Sequence, residues 1–83
     1  MSRIKALIAE KLANLDERKG KASNYDETIS HYNSYTGYFT GMEDALNATD
    51  NAEDAAHVGK AIQLLGMEME ALNLRRNLTE TQE

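Results

Sequence analysis

Apolar side chains recur along this chain at helical intervals, in three blocks set apart by two polar breaks. In the first block Ile4, Leu7, Ile8, Leu12 and Leu15 form one stripe, with charged residues on the other side. This predicts a helix over 2–19, with Ser2 as its N-cap and Gly20 as the interruption that ends it. The second block carries Tyr25, Ile29, Tyr32, Phe39, Met42 and Leu46 and predicts a helix over 24–47. Its start is marked by Asn24 with Glu27, the spacing of a capping box, and by acids that suit a positive helix end. The repeat of Ile8, Leu15, Ala22, Ile29 and Thr36 every seven residues supports a rival reading, one unbroken helix from Ser2 to Leu46.

The third block predicts a helix over 51–77, followed by a frayed polar tail over 79–83. Its main face holds Ala55, Val58, Gly59, Ile62, Leu65, Gly66, Met69 and Leu72. Asn47-Ala48-Thr49-Asp50 reads as a turn between the second and third helices. A reversal there sets Phe39 opposite Gly59, Tyr32 opposite Gly66, Ile29 against Met69 and Thr36 against Ile62. Rings over backbone notches would account for glycines that otherwise weaken a helix by roughly 1 kcal/mol each. The third helix has a second stripe, Leu64, Met67, Ala71, Leu74 and Leu78, turned away from that seam. Apolarity on two sides calls for two neighbours, and the first helix, from the same protomer or another, is the expected second one.

Composition agrees with an all-α class. The chain has 83 residues and no proline, and it is rich in strong helix formers. A single small domain is expected: an antiparallel helix hairpin plus an N-terminal helix, a three-helix bundle completed by homo-oligomerisation because so small a core is marginal alone. The absence of cysteine excludes a disulfide framework. No apolar run is long enough to span a membrane and no signal-peptide pattern opens the chain, so a cytoplasmic location, in its own cell or a host's, is expected. Small acidic chains of this kind are typical of phage and plasmid accessory proteins.

The net charge is −5, but it is unevenly spread. Arg3, Lys5, Lys11, Arg18, Lys19 and Lys21 outnumber Glu10, Asp16 and Glu17 in the first block, while acids dominate the remainder. That balance argues against a generic duplex-DNA binder. Enzymatic chemistry has no support, because His31 and His57 sit on different helices and no Gly-rich phosphate loop exists. Glu53 and Asp54 lie one turn from His57, with Glu43, Asp44 and Asp50 near the same tip. Acids at a helix start more simply offset the macrodipole, so no metal and no cofactor is expected.

Two surfaces remain as binding candidates. Tyr35, Gly37, Tyr38 and Gly41 combine tyrosines with small residues, and behind them Ser30, Ser34, Ala45 and Ala48 extend a ridge that another helix could approach closely. The expected function is therefore a small non-enzymatic regulator or inhibitor that presents this surface to a partner protein. The alternative is an oligomer that sequesters a small phosphorylated ligand or nucleotide, with Arg18, Lys19, Lys21, Arg75 and Arg76 gathered at the start of the second helix and Tyr25 stacking on a base. A purely structural assembly role is the third reading.

Overall fold

The computed structural model describes residues 3–81, with side chains through Thr79. Ser2, expected to cap the first helix, and Gln82 and Glu83 of the polar tail lie outside them. Three helices occur in order: α1 (Arg3–Lys21), α2 (Tyr25–Ala48) and α3 (Ala52–Thr81). No strand is present among the described residues. The chain leaves helix at Ala22–Asn24, so α1 and α2 are separate rather than one long helix.

The break is specified locally, but not by Gly20, which stays inside α1. Asn24 has extended backbone, and its Oδ1 accepts the Glu27 backbone N–H at 2.8 Å. The return arm of the box falls one residue early: the Glu27 carboxylate accepts from the backbone N–H of Ser23 at 3.2 Å and from its hydroxyl at 3.0 Å. These contacts, the backbone N–H first, hold the Glu27 carboxyl below the usual glutamate range.

At the other end of α2 the backbone closes on itself. Asp50 has φ 60°, the left-handed region. The Asn51 N–H donates to the Leu46 carbonyl at 2.8 Å and the Asp50 N–H to the Asn47 carbonyl at 3.3 Å. That pair of bonds is the Schellman ending, with aspartate where glycine usually stands. The Asn51 side chain ties the turn further, donating to the Thr49 hydroxyl at 2.8 Å. The Ala55 N–H then donates to the Asn51 carbonyl at 2.9 Å, the bond that opens α3.

The hairpin of α2 and α3 carries most of the core. Phe39, Val58 and Leu65 are fully buried, with Tyr32, Ala55 and Ala61 nearly so. Each large side chain taken from water contributes about 1.5–3 kcal/mol before entropy is counted. From α1 only Leu15 is fully buried; Ile4, Ile8 and Leu12 pack at the edge of the same cluster. Lys11 lies over Tyr38 and Lys19 over Tyr32, so α1 runs antiparallel to α2 and parallel to α3.

Three expectations need correction. The rings do not sit in glycine notches. A Cβ built on Gly66 would meet nothing within 4 Å, and one on Gly59 would meet the Glu43 carboxylate at 2.8 Å rather than Phe39. Helical side chains lean toward their own N-terminus, which in an antiparallel pair displaces each contact up the partner. Tyr32 therefore reaches Glu68, and Ala55 and Ala61 are the small residues buried at the seam. Second, α1 does not cover the other stripe of α3: Leu64, Met67, Leu74 and Leu78 remain 45%, 63%, 59% and 57% exposed. It packs instead on the hairpin core. Third, α3 continues through Thr81 rather than fraying after 77, with the Thr79 hydroxyl donating to the Arg75 carbonyl at 3.0 Å.

Candidate binding surfaces

The six basic and aromatic residues expected to form one anion site are divided among three places. Tyr25, Arg75 and Arg76 line an open cleft of about 580 Å³ between the start of α2 and the end of α3, together with Asn24, Asp26, Leu72 and Thr79. The Arg76 guanidinium stacks 4.6 Å from the centre of the Tyr25 ring, and the Tyr25 hydroxyl donates to the Asn73 side chain at 3.3 Å. Arg18 and Lys21 lie elsewhere, in a groove between α1 and α2 that they line with Lys11, Asn14, Glu17 and Tyr35.

Lys19 belongs to neither place. Its Nζ donates to the Tyr32 hydroxyl at 2.8 Å and pairs with Asp16 at 3.1 Å and Glu68 at 3.4 Å. The Tyr32 hydroxyl donates in turn to Glu68 at 2.8 Å. One polar knot thus joins all three helices. The bond to Tyr32, reinforced by Asp16 and opposed by burial, raises the Lys19 pKa above the usual lysine range. Burial, with Glu68 adding to it against Lys19, raises that of Tyr32. Sequence reasoning missed this knot, although basic residues at the end of one helix and an acid on the outer flank of another were visible signals.

The expected partner surface is partly open. Tyr35 is half-buried against the core, while Tyr38 is 44% exposed, its ring edge-on to Phe39 at 5.7 Å and capped by Lys11 at 5.1 Å. Gly37 and Gly41 are exposed, with open space where a Cβ would stand. Ser30, Ser34, Ala45 and Ala48 are exposed along the same helix. A small recess lined by Lys11, Ser34, Tyr35 and Tyr38 shares Lys11 and Tyr35 with the groove that holds Arg18 and Lys21. Tyrosines and cations assigned separately from the sequence therefore line two adjoining recesses, which together form a trough between α1 and α2.

At the hairpin tip the acids do not converge: among the described residues no group of three or more His, Asp or Glu side chains is placed to hold a metal ion. No described helix is long and apolar enough to cross a membrane. No family model, curated protein sequence or solved structure matches this chain.

Proposed function

We propose that this is a non-enzymatic binding protein, a regulator or inhibitor acting in the cytoplasm, that engages a partner protein along the trough between α1 and α2. The observation that carries the reading is the joining of Tyr35 and Tyr38 to Lys11, Arg18 and Lys21 on one accessible face. Exposed tyrosine supplies contact area at small entropic cost, and flanking cations select an acidic segment. Gly37 and Gly41 leave room for that segment to lie close to the α2 backbone. Self-association of the chain is a separate part of the same proposal.

Native mass spectrometry of protein purified gently from its own cells tests the reading. A stoichiometric protein partner is expected with the wild type and lost with Tyr38→Ala and Lys11→Glu. Retention by both variants sinks the assignment. A second reading rests on the Tyr25–Arg76 stack in the open cleft of about 580 Å³, where Arg75 and Arg76 would attract a small anion and a flat ring would compete with Arg76 for the face of Tyr25. A retained small molecule, lost with Arg76→Glu and released by salt, would favour it over the trough.

A further inference from the structure

We propose that the exposed stripe of α3 is a coiled-coil seam whose occupant is a second copy of this chain, parallel and in register. The proposal rests on self-association and names the surface and orientation that perform it.

Leu64, Met67, Ala71, Leu74 and Leu78 follow one another at intervals of three and four residues, the alternation that keeps one face turned to a neighbouring helix. The four large members are about half or more exposed, and no other helix of the protomer covers them. A small ligand has no use for a straight seam of this length. Nor does a membrane surface, which would select a row of cations beside the apolar face, whereas Glu68 and Glu70 lie there against the single cation Arg75.

The length of α3 also calls for a neighbour. Lys19, near the end of α1, stands level with Glu68, and past that level only the first turns of α2 accompany α3. Yet α3 continues as regular helix through Thr81. An isolated helical end is marginal in water unless one of its faces is packed.

Charge makes the seam fit itself. With Leu64 and Leu78 in the first core position of the heptad and Met67 and Leu74 in the second, Glu70 and Arg75 occupy the flanking positions that pair between parallel strands. Neither side chain has a hydrogen-bond or ion-pair partner among the described residues. Two-fold symmetry then forms the Glu70–Arg75 pair twice. Antiparallel strands would bring Arg75 to Glu68 instead. That carboxylate already receives Lys19 and the Tyr32 hydroxyl, and Glu70 would be left without a cation.

The test uses the full chain, which contains no cysteine to interfere. Sedimentation equilibrium is expected to give a dimer for the wild type and a monomer for Leu74→Glu that keeps the helicity of the protomer core and frays only at the end of α3, since Leu74 is outside that core. Arg75→Glu or Glu70→Arg alone should weaken the dimer roughly tenfold by placing like charges together, and the two combined should restore it. Leu74→Cys should cross-link to its own copy under mild oxidation, as a parallel in-register seam requires. A monomeric wild type overturns both this seam and self-association. An oligomer indifferent to Leu74→Glu overturns the seam alone. A Leu74-dependent dimer that fails to cross-link through Leu74→Cys overturns the parallel register.

Discussion

The turn at Asp50 offers the most controlled perturbation of the hairpin. Its φ of 60° places an L-residue where the Cβ crowds the following carbonyl, which costs roughly 1–2 kcal/mol for a general residue and less for aspartate. Asp50→Gly removes that cost and adds the larger backbone freedom of glycine in the unfolded chain, roughly 0.5–1 kcal/mol in the opposite direction. A net gain of about 0.5 kcal/mol is expected, or ~2–4 °C in melting temperature for a domain of this size. Asp50→Ala keeps the crowding without the tolerance of a short polar side chain and should lose about 0.5–1 kcal/mol; Asp50→Val should lose more. The Asp50 carboxylate is just past the negative end of α2 and just before the positive end of α3, so its dipole effects offset each other. Asp50→Asn, which deletes only the charge, should therefore stay close to the wild type. Urea unfolding followed by helical circular dichroism reads the series, with an unchanged slope. Asp50→Gly no more stable than Asp50→Ala would refute the account of the turn.

Other substitutions probe the seam and the polar knot. The Thr36 hydroxyl is buried without a hydrogen-bond partner, so Thr36→Val should raise stability by about 1 kcal/mol in the same unfolding assay; a loss would mean that the hydroxyl is satisfied. Gly66→Ala fills open space on a regular helix and should stabilise by up to about 1 kcal/mol, whereas a ring resting on Gly66 would make it costly. Tyr32→Phe keeps the buried ring but removes the hydroxyl between Lys19 and Glu68, for a loss of roughly 1 kcal/mol at neutral pH. Lys19 and Tyr32 both hold their protons more tightly when folded, so the stability they contribute is complete below their ordinary values and drains away as pH rises past them. Thermal melts into the alkaline range should fall more steeply for the wild type than for Tyr32→Phe, and equal slopes would remove the knot from the account.

The helices were legible because each has a local cause. Asn24 and Glu27 mark the start of α2 in sequence and do so in the fold, and Asn47–Asp50 marks its end. The hairpin register sets Thr36 against Ile62, and the fold leaves it half-buried with its hydroxyl inside. The relations between helices were less legible, because they depend on where side chains lean rather than on where residues are counted. Counting placed Tyr32 over Gly66; leaning carries it to Glu68. Lys19 looked like its basic neighbours in sequence, and only the approach of α1 to both other helices separates it from them. For the same reason the trough that unites Tyr35 and Tyr38 with Arg18 and Lys21 could not be assembled from helical spacing within single elements.

The modest anchoring of α1 divides the molecule into two tiers of durability. With Leu15 as its one fully buried residue and Lys19 as its main polar fastening, α1 can lift away while the Phe39, Val58 and Leu65 contacts of the hairpin persist. Amide protons of α1 should exchange with solvent well before those at the centre of α2 and α3. Each such excursion bares the hairpin's apolar side, so whatever fastens α1 more firmly also shields the protein from proteases and from sticking to other chains.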